Sequence, residues 1–280
     1  MNERPVLVAQ ISDLHVKRPG EVAYGHVDTA TALFRCVEEL NRFRPRPSIV
    51  VISGDLVDTP TAEEYDHLKI LLASLEIPYL AIPGNHDDRT LMRAALPDQP
   101  YAPSNGALNI VSRLGDLDLV LIDSSIPGEP YGELDTMTLT WLEGTLAAST
   151  TRPALVFLHH PPFITGIDHM DRQNLRNAPE LAAVLLRHER AQLVAAGHVH
   201  RAALAMFAGV PATICPALNH AVALDLEAKH PPSFKIEPPG FHLHAWFSGN
   251  RHGRVVTHFV PIGNFNGPYP FFCARDGGGL

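Results

Sequence analysis

The sequence predicts an α/β fold with two β-sheets and helices packed against them. Three observations carry this. Short apolar runs alternate with helix-periodic segments as far as about residue 200. Several of these runs end in a short polar block. Beyond Leu204 the pattern changes to short alternating segments, which is the signature of antiparallel strands.

Taken in order, Val6–Ile11 is an aliphatic run that ends at Ser12-Asp13 and reads as a buried strand. Residues 28–43 carry Leu33, Phe34, Val37 and Leu40 at helix spacing, with Asp28 or Thr29 as N-cap and Pro45 as terminator. Residues 48–53 form the second strand. Residues 61–75 form a helix with Glu63 and Glu64 in its first turn, where the helix dipole favours acids. Residues 78–82 are a third strand, closed by Pro83-Gly84. This strand–helix–strand order implies parallel pairing with helices on the faces. Right-handed crossovers then bring the carboxyl ends of the strands to one edge, where ligands bind in such sheets.

Further on, residues 109–111 and 117–123 read as a strand pair and 134–148 as a helix. Residues 154–158 are a strand leading into His159-His160-Pro161-Pro162. A helix at 179–188 precedes a strand at 192–196 that leads into Gly197-His198. Short segments follow at 204–208, 212–215, 221–226, 241–247 and 254–261, the last two joined as a hairpin around 248–253. They are expected to be antiparallel and to complete a second sheet. The proline-rich stretch 229–240 is a loop and, with the segment after Pro162, a candidate lid. The expected organisation is a catalytic core over 1–203, an antiparallel segment with the lid over 204–262, and a Gly/Pro/aromatic tail over 263–280 whose last residues should be disordered.

Composition narrows the function. The 280 residues are 45% hydrophobic, enough for a sizeable core, and the formal net charge is −8. No block of Lys and Arg supplies the electrostatic footprint of a nucleic-acid binder, so nucleic acid is not an expected partner. Cys36, Cys215 and Cys273 are odd in number and form no C-x-x-C, which fits a reducing, cytoplasmic setting. Cys36 lies on the apolar face of its helix and reads as core. No leader pattern opens the chain and no apolar run approaches 18 residues, so no membrane association is expected.

The sixteen histidines take their meaning from position. Five polar blocks follow strands in order: Asp13-Leu14-His15, Gly54-Asp55, Gly84-Asn85-His86-Asp87, His159-His160 and Gly197-His198-Val199-His200. Together they offer Asp, His and Asn donors for two divalent ions, with one carboxylate to share. A two-metal site can generate hydroxide near neutral pH and clamp both oxygens of an in-line displacement at phosphorus. Imidazole with carboxylate and amide oxygen suits Fe, Mn, Zn or Co better than Ca or Mg alone. Helix capping and core hydrogen bonding are the alternative roles for any one block. Five in order at strand ends argue for metal.

The blocks resemble the calcineurin-like metallophosphoesterase signature, D-x-H, G-D, G-N-H-[DE], H and G-H-x-H, across Asp13 to His200. Within that superfamily the chain is similar to the class III cyclic nucleotide phosphodiesterases and the bacterial glycerophosphodiesterases. Tyr24-Gly25 with Asp28, Ile122-Asp123-Ser124-Ser125, His159-His160-Pro161-Pro162, Met170-Asp171 and Gly267-Pro268-Tyr269 carry this closer likeness. The resemblance implies a four-layer αββα sandwich. It implies Asp13, His15, Asp55 and His200 on one metal and Asp55, Asn85, His159 and His198 on the other, with Asp55 bridging. It makes His86 the non-ligand imidazole that contacts phosphate or protonates the leaving oxygen, with His198 or His220 assisting; His220 falls where related diesterases place a further histidine. It also suggests a homo-oligomer, a dimer or larger.

The expected reaction is hydrolysis of a small phosphodiester, a 3′,5′-cyclic nucleotide such as cAMP or a glycerophosphodiester, by metal-bound hydroxide. A nuclease of the same superfamily and a non-catalytic metal-binding module are the alternatives. Asp55 is followed by Leu56-Val57-Asp58-Thr59-Pro60 rather than the Asp-Arg-Gly continuation of the protein phosphatases, which argues against that class. His160 is expected to support a ligand or to belong to the proline loop rather than to bind metal. Asp58, Asp87 and Asp88 are expected to cap or orient neighbours, and His242, His244, His252 and His258 to lie on a solvated face. Arg89, Arg172 and Arg176 are expected on the surface.

Overall fold

A computed structural model describes residues 5–103, 105–248 and 254–271. Two sheets stack face to face. The first contains β1 (Val6–Ile11), β2 (Ile49–Ser53), β3 (Tyr79–Ile82), β12 (Gly240–Phe247) and β13 (Arg254–Pro261), in the order β13-β12-β1-β2-β3. The second contains β4 (Ile110–Leu114), β5 (Leu117–Ile122), β6 (Ala154–Leu158), β7 (Ala191–Ala196), β8 (Ala203–Phe207) and β9 (Val210–Ile214), in the order β4-β5-β6-β7-β9-β8. β1, β2 and β3 run parallel, as do β5, β6, β7 and β9. A short ribbon pairs β10 (Ala221–Val222) with β11 (Phe234–Lys235).

Three apolar layers separate four structural layers. Ile11, Val50, Ile52 and Ala9 face Leu33, Val37, Leu40, Tyr65 and Leu68 of α1 (Thr29–Arg42) and α2 (Ala62–Leu72). On the other side Val156, Leu158 and Val194 face Leu142, Leu181 and Leu185 of α4 (Thr136–Ala147) and α6 (Ala178–His188). Between the sheets lie Val8, Val51, Ile82, Leu119, Phe157, Leu193 and Trp246. This is the four-layer αββα arrangement. The helix starts are fixed locally: the side chains of Asp28, Thr61 and Asp135 accept backbone N–H groups of Thr31, Glu64 and Thr138. Among the described residues no helix is long and apolar enough to cross a membrane.

The C-terminal strands depart from expectation. They do not all complete the second sheet. β8 and β9 do, but β12 pairs antiparallel with β1 and β13 with β12, so the last hairpin extends the first sheet. Alternation identifies an antiparallel strand without naming its partner. The expected boundary at 203/204 therefore has strands of both sheets on its C-terminal side. The expected hairpin turn falls mostly, and the expected disordered end wholly, outside the described residues, as do Cys273 and His252. Two short helices were not anticipated: α3 (Arg89–Ala95), capped by Asp88, and α5 (Asp168–Asp171).

Candidate metal centre

The five polar blocks converge at one edge of the sandwich. β1, β2 and β3 deliver Asp13, His15, Asp55, Asn85 and His86; β6 and β7 deliver His159, His198 and His200. Asp13, His15, Asp55, His159, His198 and His200 are buried. Five of these are held with positive φ: Asp13 at 57°, His15 at 46°, Asp55 at 51°, His198 at 72° and His200 at 58°. Such a backbone costs of order 1–3 kcal/mol per residue and persists only where the surroundings enforce it, typically at functional sites.

The glycines in the blocks have a steric reason. A Cβ at Gly54, where φ is +103°, would overlap His159 Nδ1. One at Gly84 would overlap the Asp55 carboxylate, and one at Gly197 would overlap Ser12 Oγ. The three backbones are close enough to the ligating side chains that nothing larger fits.

Asp13, His15, Asp55 and His200 bring donor atoms within 4.8 Å of one another. His15 Nδ1–H donates to the Asp58 carboxylate at 3.2 Å, which leaves Nε2 as the lone-pair atom. That atom lies 3.2 Å from His200 Nε2 and 3.5 Å from Asp55 Oδ2. Two nitrogens bound tetrahedrally to one zinc-sized ion sit about 3.3 Å apart. His200 Nε2 is also 3.3 Å from Asp13 Oδ1. The second set overlaps the first. His159 Nδ1–H donates to the Ser53 carbonyl at 2.8 Å, and its Nε2 lies 3.2 Å from Asn85 Oδ1 and 3.3 Å from Asp55 Oδ2. His198 presents a buried Nε2 with no hydrogen-bond partner, and its ring lies 5.1 Å from that of His159. Buried polar atoms are ordinarily paired, so this orphan fits a metal-ligating role.

The charges agree. Burial works to raise the Asp55 carboxyl, but the imidazoles of His159, His86 and His15 hold it well below the usual range. Burial and the neighbouring Asp55 push Asp13 up to about 6, against the pull of the histidines. Burial works to lower His159, yet Asp55 and Asp13 raise it to about 9. Burial and His159 drop His198 to about 3. Two carboxylates packed this closely favour positive charge between them, which divalent cations would supply.

His86 stands beside the cluster. Its ring meets His15 edge-on at 4.6 Å, its backbone N–H donates to Asp55, and its Nδ1–H donates to the Asp58 carbonyl at 2.8 Å. It lines a cavity of about 930 Å³ together with Asn85, Asp58, Arg89, Arg93 and Ser125. His220 is at the other end, with its ring 4.5 Å from His200 and 5.1 Å from Phe234 of β11. Burial and His15 lower it to about 4.

Several supporting residues take the orienting roles expected of them. Asp87 accepts from the backbone of Gly84 and Leu56 and from the Tyr65 hydroxyl. Asp58 holds His15 and is itself held by Lys17, which also reaches Glu64. His160 does not orient a ligand by a hydrogen bond: its Nδ1 meets Ser124 Oγ at 2.9 Å, its Nε2 has no partner, and its ring stands 4.9 Å from that of His159 and 4.8 Å from that of His198. Arg89 differs from the surface default: it pairs with buried Asp123 and donates to the Ser125 carbonyl while lining the cavity. His242 and His244 also differ. Both are buried between the sheets, because β12 is an inner strand and the face they occupy meets the second sheet. His258 is exposed. Ser53, whose carbonyl fixes His159, and Gln10, which donates to Ser53 Oγ, carry no signal in the sequence, since neither side chain belongs to a motif.

A family model described as calcineurin-like phosphoesterase matches residues 6–202. The chain belongs to the calcineurin-like phosphoesterase family. A probable glycerophosphodiester phosphodiesterase of Arcobacter nitrofigilis is 37% identical over 95% of this chain and 97% of its own length. A 3′,5′-cyclic adenosine monophosphate phosphodiesterase of Escherichia coli K12 is 32% identical over 71% of each chain. Among solved structures, a dimetal phosphatase from Danio rerio superposes with a TM-score of 0.66 at 15% identity, over 93% of this chain and all of that one, and shares the fold. Family and donor cluster together point to a dinuclear divalent metal site.

Proposed function

We propose that this chain is a metal-dependent phosphodiesterase acting on small phosphodiesters, either glycerophosphodiesters or 3′,5′-cyclic nucleotides. The observation that carries the reading is the pair of overlapping donor sets that share Asp55, opening beside His86 onto a cavity of about 930 Å³. The names of the relatives support the substrate class. Asp13, His15, Asp55 and His200 hold one ion; Asp55, Asn85, His159 and His198 hold the other. The donor chemistry suits Fe, Mn, Zn or Co. Such a pair supplies Lewis-acid stabilisation of the phosphoryl oxygens and a nucleophile at neutral pH.

The chain's own groups do the rest. Asp58 and Ser53 fix the ring orientations of His15 and His159 and keep each Nε2 free for metal. The Asp58 carbonyl occupies His86 Nδ1–H, so Nε2 is the atom that gives a proton to the departing oxygen. His220 flanks the opposite end and contacts the substrate there. The two cysteines described, Cys36 and Cys215, are buried and unpaired, which supports a reducing, cytoplasmic setting.

The test is steady-state hydrolysis by metal-loaded protein. The substrates are bis(p-nitrophenyl) phosphate, 3′,5′-cyclic AMP, a glycerophosphodiester and a single-stranded oligonucleotide. Turnover of the small diesters is expected, falling about a hundredfold in Asn85→Ala. Turnover of the oligonucleotide alone would move the assignment to nuclease. Two bound metals without turnover would make the chain a binding module.

A further inference from the structure

The layer between the sheets changes character toward the metal edge. Leu117, Leu119 and Trp246 make it apolar at a distance from the site. Close to the site it holds a connected set of buried polar groups: Gln10 of β1, Ser53 of β2, His244 of β12 and Thr257 of β13. Gln10 and His244 are fully buried. Burying such groups is costly unless each finds a partner, and these do.

The hydrogen bonds fix the orientation of the Gln10 amide. Gln10 Nε2 donates to Ser53 Oγ at 2.8 Å and to the Ala196 carbonyl of β7 at 3.1 Å. A carbonyl can only accept, so the amide cannot be flipped. Gln10 Oε1 therefore accepts from His244 Nε2–H at 3.1 Å, and His244 Nδ1 pairs with the Thr257 hydroxyl at 2.8 Å. Both imidazole nitrogens are used, and burial favours the neutral ring.

This amide joins the two sheets directly under the metal centre. Ser53 carries the carbonyl that fixes His159, and it precedes Gly54-Asp55. Ala196 precedes Gly197-His198, and Gly197 N–H donates to the His159 carbonyl. Asp13, His15, Asp55 and Asn85 come from the first sheet, and His159, His198 and His200 from the second. Sites shared between two elements depend on the gap between those elements.

We propose that Gln10, oriented by His244, is a positioning residue that sets the spacing of the two sheets beneath the metal centre and thereby the joint occupancy of both metal positions. The inference rests on the dinuclear reading above. Gln10 touches neither metal nor substrate and acts through Ser53 and Ala196.

The experiment is manganese titration of the apoprotein by calorimetry, with the exchange-coupled signal of the dinuclear form followed by electron paramagnetic resonance. It compares the unaltered chain with Gln10→Met, which keeps length and loses the hydrogen bonds. Leu117→Ala, at the start of β5, opens a cavity in the same layer away from the site and is the stability control. Gln10→Met should bind the second manganese about tenfold more weakly or worse and lose most of the coupled signal. Its kcat should fall by a similar factor while KM stays within about twofold, since the ground-state contacts to substrate are intact. Leu117→Ala should lower Tm and leave second-metal affinity unchanged. If Gln10→Met does not fold, His244→Phe, which keeps a ring against Phe157, takes its place with the same expectation. Two manganese ions on the unaltered chain with Gln10→Met or its substitute matching Leu117→Ala would overturn this proposal alone. Fewer than two on the unaltered chain would overturn the dinuclear reading and this proposal with it.

Discussion

The donors from the first sheet are held by charged side chains, whereas a key donor from the second is held by main chain. His15 is oriented by the Asp58 carboxylate, which Lys17 braces against Glu64. His159 is oriented by the Ser53 carbonyl, a fixed part of β2. Two carboxylates, Asp13 and Asp55, lie beside His15 and His200. Beside His159 lie Asp55 and the neutral amide of Asn85. A side-chain support can be weakened by one substitution. A main-chain support yields only when a strand moves, so the steric fit around it must be tight, and the Gly54 contact with His159 shows that it is.

This contrast can be broken from either side. Asp55→Asn removes the carboxylate that both halves share. Activity should fall by at least about a thousandfold, equivalent to several kcal/mol of lost Lewis-acid stabilisation, with metal content measured alongside kcat. Unchanged metal content would show that Asp55 does not bridge. Gly54→Ala attacks the main-chain half alone. It forces a side chain into positive φ and against His159, so activity should drop about a hundredfold. Stability should fall by about 1–3 kcal/mol in thermal denaturation. The first metal should remain bound, and loss of both ions together would erase the distinction between the halves. Asp58→Asn attacks the side-chain half alone. The new amide oxygen can still accept from His15, so only about a tenfold loss of affinity at the first position is expected in a manganese titration. A larger loss at the second position would reverse the contrast.

The site was more legible in the sequence than the sheet to which each strand belongs. Asp13, Asp55, Asn85, His159, His198 and His200 announced themselves because each follows an apolar run, and parallel topology brings such ends together. Asp28, Thr61 and Asp135 marked helix starts because capping is local chemistry. Strand partners are not local. β12 alternates Phe241-His242-Leu243-His244 as an antiparallel strand should, but nothing in that segment states that its neighbour is β1 or that both of its faces are covered. The buried imidazoles therefore read as solvated. α3 escaped notice because seven residues directly after the Gly84–Asp87 block give too little periodicity. Gln10 was indistinguishable from any polar residue in a strand, since its partners lie 43, 186 and 234 residues away.

The pairing of β1 with β12 also bears on how the protein is made. β1 meets β2 after about forty residues, but its other edge waits for a strand that begins at Gly240. At a synthesis rate of about 5–20 residues per second, that edge stands open for roughly ten to fifty seconds on the ribosome. An unpaired edge carrying Leu7 and Ala9 is a template for association with other chains. The central strand of the first sheet is thus the earliest to emerge and among the last to be closed, and nascent-chain protection over that interval matters more here than it would for a protein whose strands pair in the order of synthesis.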